Sequence, residues 1–236
     1  MVRYMLIAGA FTPVLTAGVA LAAEPASSVF FGAQVEQFEV RKQNGEDVLA
    51  WDFDATIGTD ELKGVIRSEA EYDLRGDEFE TLEIQLRGAV PVSPFFDAIA
   101  GIRLDASDGA RRADGVIGIH GLAQQWVEVD LDLFVSRDPS MRFEAEYEGL
   151  ITNRITLVPS IEVELPLTND ASREFGAFGP IIEVGARLGY DLIDRAFSPY
   201  IGVHYEVALG ETADAIRAGG GDTGALFAVI GARMMF

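Results

Sequence analysis

The chain contains no cysteine among its 236 residues. This absence excludes a disulfide framework and any metal site built on thiolates. Basic residues are also scarce, since 18 Lys and Arg stand against 38 Asp and Glu, for a formal net charge of -20. Nucleic acid is therefore an unsuitable partner, and cations are the ligands that such a charge attracts.

Long apolar runs are missing after the first 23 residues. Beyond that point the sequence offers no stretch of about 18 consecutive apolar residues, the length that a transmembrane helix requires. A membrane-spanning body would therefore have to be a β-barrel. Hydrophobic residues still make up 49% of the chain, which excludes a disordered acidic polymer.

The one long apolar run lies at the start, in MVRYMLIAGAFTPVLTAGVALAA. Arg3 gives a short basic beginning, and small residues around Ala20, Ala22 and Ala23 follow the apolar stretch. This order predicts a signal peptide over residues 1–23 that is cleaved on export, in preference to an uncleaved membrane anchor. A short segment, 24–28, would then lead into the main domain.

Residues 126–135, WVEVDLDLFV, alternate acidic and apolar side chains. A strand sends successive side chains to opposite faces, so Glu128, Asp130 and Asp132 share one face and apolar residues fill the other. The same period of two continues through most of the chain, interrupted by short polar turns. It predicts twelve strands, at residues 29–41, 47–57, 61–73, 79–91, 96–106, 114–123, 126–137, 142–150, 152–165, 178–191, 198–209 and 223–236.

The predicted connections alternate between short and long, as they do in outer-membrane barrels. We therefore predict an all-β fold over residues 29–236: a transmembrane up-and-down antiparallel β-barrel of about 12 strands, with 10 or 8 left open. Both termini would lie on the periplasmic side, and the terminal Phe236 resembles the signal that outer-membrane assembly machinery reads. A soluble β-sandwich is disfavoured by the apolar residues at alternate positions. Pro159 falls inside a predicted strand, where we expect a β-bulge.

We expect the acidic face to line the barrel interior. By the parity of each strand, this face includes Glu36, Asp52, Asp54, Glu69, Glu71, Asp73, Glu128, Asp130, Asp132, Glu144, Glu146, Glu148, Glu162, Glu164, Glu183 and Glu206, together with Arg67, Arg87, Arg103, Arg187 and Arg233. Barrel interiors commonly hold carboxylate–arginine networks without any ligand, and that alternative stays open for each residue. The excess of acids favours a cation-attracting cavity, because crowded like charges repel one another unless cations or protons neutralise them.

Two histidines are predicted to point inward, His120 in GVIGIHGLA and His204 in YIGVHYEV. His204 shares its face with Glu206. Imidazole together with carboxylate suits borderline divalent ions, among which Cu(II) binds most tightly. Neither histidine belongs to an HxH or HxxxH motif, so a histidine that is simply hydrogen-bonded in the lumen remains the alternative.

Several stretches together resemble the copper resistance protein B family: GEDVLAWDFDATIG, EAEY, SPFFDAIAGIR, GLAQQWVEVDLDLFV, EAEYEGLITNRITLVPSIEVEL and RAFSPYIGVHYEVALGETADAIRAGGGDTGALFAVIGARMMF. The resemblance runs from about Phe31 to the end. It implies a non-enzymatic outer-membrane β-barrel that binds copper or passes it between the outside and the periplasm. Copper ions, outer-membrane lipid and a periplasmic copper oxidase or copper carrier are the partners it implies.

The chain departs from the family in one respect. Many members carry a Met- and His-rich segment before the barrel, which here is reduced to EPASS. This departure puts a Met-based Cu(I) relay in doubt. We expect a copper site made of carboxylates with His120 or His204, of open oxidation state, and the candidate metal ligands are His120, His204, Glu206, Glu128, Asp130, Asp132, Glu69, Glu71, Asp52 and Glu146.

Two other functions compete with this reading. A general cation-selective porin with no copper preference would have the same acidic lumen. A barrel enzyme would need a nucleophile, a base and an orienting group within mutual reach. The sequence has no GxSxG motif and no serine clearly placed beside His204 and Glu206, so we expect no enzymatic activity.

Overall fold

The computed structural model describes residues 28–236 except positions 44, 108–110, 172, 174 and 194. The predicted signal peptide and nearly all of the segment 24–28 lie outside these residues. Twelve strands form the body: β1 Phe30–Gln43, β2 Glu46–Gly58, β3 Lys63–Asp73, β4 Glu78–Pro91, β5 Phe96–Asp105, β6 Arg112–Leu122, β7 Val127–Val135, β8 Ser140–Tyr147, β9 Ile155–Pro166, β10 Ile181–Tyr190, β11 Phe197–Ala208 and β12 Gly224–Met235. Beyond Glu148, β8 continues in the two-residue segment Gly149–Leu150.

Each strand pairs antiparallel with the next, and β12 pairs with β1 to close the ring. Closure leaves no open sheet edge among the described strands, as a sheet in lipid requires. The predicted all-β fold and the count of twelve strands are confirmed.

Side chains alternate along most of each strand between an apolar exterior and a mainly polar interior. Outward-facing Ile117 and Ile201 are 59% and 61% exposed, whereas inward-facing Asp132 and Arg187 are almost completely buried. An apolar surface this extensive is stable when hydrocarbon covers it, as it does in a transmembrane barrel. Within the described residues, no helix is both long enough and apolar enough to cross a membrane.

The two ends of the barrel differ. We call the end that carries the termini and the connections 59–62, 92–95, 123–126, 151–154 and 191–196 the turn end, and the opposite end the loop end. The two longest connections, 167–180 and 209–223, lie at the loop end. The predicted alternation of lengths is weaker elsewhere, because β1 and β2 are joined at the loop end by only two residues.

The connection 209–223 contains a helix, α1 (Gly210–Gly219), where the sequence pattern indicated only a loop. The hydroxyl of Thr212, which is fully buried, donates to the carbonyl of Gly179 (2.6 Å) and accepts from the N–H of Gly176 (3.0 Å). A Cβ at Gly176 or at Gly179 would lie 2.4 Å from the backbone of α1. Only glycine permits this approach, so the two connections form one packed unit.

The prediction of a β-bulge at Pro159 is wrong. The register of β9 against β10 runs without a shift through Pro159, and the pairing of β9 with β8 keeps one register on both sides of it. What accommodates the proline is the interruption of β8 at Glu148, since Pro159 lies opposite the end of β8, where a missing N–H costs little.

Replacing Thr212 with Val should loosen the contact between α1 and the connection 167–180. Loss of buried hydrogen bonds costs about 1 to 2 kcal/mol, which corresponds to a roughly fivefold to thirtyfold larger open population. Limited proteolysis of the folded protein, read as tryptic cleavage after Arg173, measures this population. Asp214→Ala, on the exposed side of α1, is the control, and equal cleavage in Thr212→Val and wild type would contradict the packing role.

Candidate functional site: the acidic lumen

The lumen contains a cavity of about 400 Å³ whose wall is strongly acidic. Twelve Asp and Glu side chains line it, against five Lys and Arg and both histidines. A second cavity of about 290 Å³ lies toward the turn end and shares five lining residues with the first: Gln34, Glu36, Glu128, Glu146 and Arg187. The predicted excess of acids is therefore present in the wall of the cavity itself.

Three arginines cross the lumen to a carboxylate on the opposite wall. From the loop end to the turn end, Arg142 of β8 reaches Glu69 of β3 (2.9 Å), and Arg67 of β3 reaches Glu144 of β8 (2.6 Å). Arg233 of β12 then reaches Glu146 of β8 (2.6 Å). Because β3 and β8 lie five strands apart in a ring of twelve, the first two pairs tie together opposite sides of the barrel, and the third joins strands four apart.

Other predicted candidates are also paired with arginine. Asp52 lies 3.2 Å from Arg67, Asp132 lies 2.5 Å from Arg87, and Glu71 forms an ion pair with Arg41. A carboxylate neutralised in this way loses much of its attraction for an added cation. Six candidates, Asp52, Glu69, Glu71, Asp130, Asp132 and Glu146, form ion pairs with arginine inside the barrel, Asp130 with Arg87 at 3.7 Å.

Glu39, which with Glu83 accepts the most side-chain hydrogen bonds among the described lumen acids, is absent from the sequence-based candidates. Its carboxylate accepts bonds from Arg187 (2.8 Å), Arg41 (2.8 Å) and the hydroxyl of Tyr200 (2.8 Å). A β-bulge at Glu36 inserts one extra residue into β1 and reverses the parity of the positions after it. Parity counted from Glu36 therefore assigns Glu39 to the wrong face, and no local sequence signal marks the bulge.

His120 lies between two carboxylates at the wall of the cavity. Its Nδ1 is 2.9 Å from Asp130 Oδ2, and its Nε2 is 3.7 Å from Glu128 Oε1. The imidazole side chain is 39% exposed. The structure thus brings together three of the predicted candidates, on the neighbouring strands β6 and β7.

His204 has different surroundings. Its side chain is 4% exposed, and its Nε2 lies 3.3 Å from Glu183 and 3.3 Å from a guanidinium nitrogen of Arg41. Its Nδ1 is buried and has no hydrogen-bond partner. Glu206, predicted to lie beside His204, is instead opposite Glu183 in the register of β10 and β11, and Glu183 is the carboxylate that His204 contacts.

Four acids in the wall of the cavity have no Lys or Arg side chain within ion-pair distance among the described residues: Glu36, Asp54, Glu128 and Glu183. These are the wall acids that no Lys or Arg side chain neutralises. In the described part of the chain, no group of three or more His, Asp or Glu side chains is arranged to hold a metal ion.

Glu39→Ala should destabilise the barrel strongly, because it removes the carboxylate that pairs with the buried Arg187 and one of the two that pair with Arg41. Removing one partner of such a network costs about 3 to 5 kcal/mol. Urea unfolding of the protein in detergent, read from its β-sheet signal, measures this loss. The control is Glu61→Ala in an exposed turn, expected within about 0.5 kcal/mol of wild type, and equal unfolding midpoints for the two variants would contradict the role of Glu39.

Three comparisons relate this barrel to known proteins. The family described as Copper resistance protein B precursor (CopB) matches residues 29–236. The chain is 32% identical to Copper resistance protein B of Escherichia coli over 212 residues, which cover 89% of this chain and 71% of that protein. It is 32% identical over 203 residues to Copper resistance protein B homolog of Pseudomonas syringae pv. tomato (strain ATCC BAA-871 / DC3000), covering 85% and 68%.

A solved structure of the NanC porin superimposes with a TM-score of 0.54 at 12% identity, over 87% of this chain and 99% of that chain. At this identity the likeness concerns the fold alone, which is a porin-type barrel. The family match covers every strand of the barrel and both histidines of the lumen. The chain belongs to the copper resistance protein B family.

Proposed function

We propose that this protein handles copper in the outer membrane by binding copper ions in its acidic lumen, with His120 and Glu128 as the ligands. The observation that carries the proposal is the contact of His120 with two carboxylates at the wall of the cavity. Family membership supports copper as the ion. Export through the signal peptide 1–23, and a periplasmic copper oxidase or carrier as partner, belong to the same proposal.

The bond to Asp130 prepares His120 for metal binding. With the Nδ1 hydrogen donated to Asp130, the lone pair of Nε2 is free and the ring is held in one orientation. The Nε2 atom and Glu128 Oε1 are 3.7 Å apart, a separation that one ion spans with two bonds of about 2 Å. Two protein ligands and water make a weak site, which suits exchange of the ion.

His204 is not a ligand in this proposal. A cation at its Nε2 would lie beside the guanidinium of Arg41, 3.3 Å away from the same nitrogen. Like charges at that distance in a buried site repel strongly. The two histidines of the chain therefore form a matched pair for experiments, since both face the lumen and only His120 lies between two carboxylates.

The acids without an arginine partner explain how copper would reach His120. Their uncompensated charge in a low-dielectric barrel raises the local concentration of cations. Such focusing acts on every cation and confers no preference for copper. Selectivity therefore depends on the imidazole of His120, which favours borderline ions over K⁺ and Ca²⁺.

Titration of the refolded, detergent-solubilised barrel with Cu(II), Cu(I) and Zn(II) tests the proposal. Wild type should bind copper more tightly than zinc, and His120→Ala should lose that binding while His204→Ala retains it. Asp130→Asn should weaken copper binding about tenfold to a hundredfold by releasing the orientation of the ring. Weak binding that is equal for all three ions and unaffected by His120→Ala would indicate a general cation porin instead.

A further inference from the structure

A path from the main cavity leads toward the turn end. The second cavity shares Glu36, Glu128 and Arg187 with the main cavity and reaches residues beside the turns, among them Trp126 and Asp191. Trp126 is 72% exposed and marks the mouth of this path. The cavity beside His120 therefore adjoins a second one that extends to exposed residues at the turn end.

Toward the loop end, a packed layer fills the lumen. Phe134 at the end of β7 is completely buried, and the guanidinium of Arg103 lies 3.5 Å from the centre of its ring. Arg142 lies 5.3 Å from the same ring. Glu83 lies 3.3 Å from both arginines, and Asp114 lies 2.6 Å from Arg103. We call these five residues the Phe134 layer.

None of the residues in the Phe134 layer lines either lumen cavity, and each of them is at most 5% exposed. A cation moving from the cavity to the loop end would have to displace Phe134 and pass two guanidinium groups. It would also have to break ion pairs that are fully desolvated. The packed unit of α1 and the connection 167–180 lies at this same end of the barrel.

We propose that the acidic lumen is a chamber with a single mouth, at the turn end, through which copper both enters and leaves. The proposal rests on the proposed copper function and narrows it from passage through the barrel to uptake and release on one side of the membrane. The protein would then act as a copper reservoir facing one compartment rather than as a channel between two.

Because the natural sequence has no cysteine, introduced thiols test the sidedness directly. Asp54 lines the main cavity and has no ion-pair partner among the described residues, so Asp54→Cys removes no ion pair. Asp214→Cys places a second thiol on α1 at the loop end, and Asn153→Cys places one in a turn at the opposite end. Both of these positions are exposed.

The experiment uses two double variants, Asp54→Cys with Asp214→Cys and Asp54→Cys with Asn153→Cys, in sealed liposomes. A small, cationic, membrane-impermeant thiol reagent is added outside, and intact-protein mass spectrometry counts the adducts on each molecule. With one mouth at the turn end, each molecule of the Asp214 variant carries one adduct, whichever way it is inserted. Molecules of the Asn153 variant carry either two adducts or none.

Molecules of the Asp214 variant that carry two adducts would overturn the proposal, since they show access to the chamber from the loop end. Molecules of the Asn153 variant with a single adduct would also overturn it, because the turn end would then be closed or the loop end open. Neither readout depends on copper, so a failed copper titration leaves the sidedness result intact.

Conductance in planar bilayers gives a second readout that needs no cysteine. Wild type should show no steady open-pore current, and Phe134→Ala should raise the current at least tenfold by removing the ring from the layer. Tyr205→Ala, on the exterior of β11, is the control for general loosening of the barrel and should conduct like wild type. A steady wild-type current unaffected by Phe134→Ala would overturn the single-mouth proposal.

Discussion

The ion pairs that cross the lumen determine what the rest of the barrel can do. Closing twelve strands buries a dense set of charged side chains, and buried charges are stable only when they are paired. Arg142, Arg67 and Arg233 provide partners by reaching across to the far wall. They hold the walls together, and side chains of each pair line the cavities that remain, so the same pairs stabilise the barrel and shape its interior space.

This pairing also divides the lumen acids into those that an arginine neutralises and those that remain unpaired. A carboxylate beside an arginine is already neutralised, which leaves the few unpaired acids and His120 to interact with an added cation. The contrast between the two histidines has the same origin. Arg41 lies against the Nε2 of His204, whereas His120 has carboxylates at both of its nitrogens. The number of acids in the lumen therefore matters less than which of them the arginines leave free.

Much of the fold could be predicted from the sequence, because a half-buried strand alternates apolar and polar side chains, and this alternation is visible in consecutive residues. The twelve predicted strands lie within a few residues of the observed ones, and WVEVDLDLFV has its acids on the interior face as expected. The contacts of His120 could be predicted only in part from the sequence. Parity predicted that His120 and Asp130 face inward, but only the register between β6 and β7 makes them partners.

The sequence by itself determined the strand pattern, the apolar exterior, the acidic interior and the family, since each depends on local alternation or on recognisable stretches. Only the tertiary structure decided which acids are neutralised, because an arginine side chain reaches across the barrel to residues that are far away in sequence. Glu39 shows where prediction from the sequence fails, since the bulge at Glu36 moves Glu39 to the face opposite the one that its parity predicts. The closed layer around Phe134 likewise exists only because β4 to β8 curve round and bring their charged residues onto one aromatic ring.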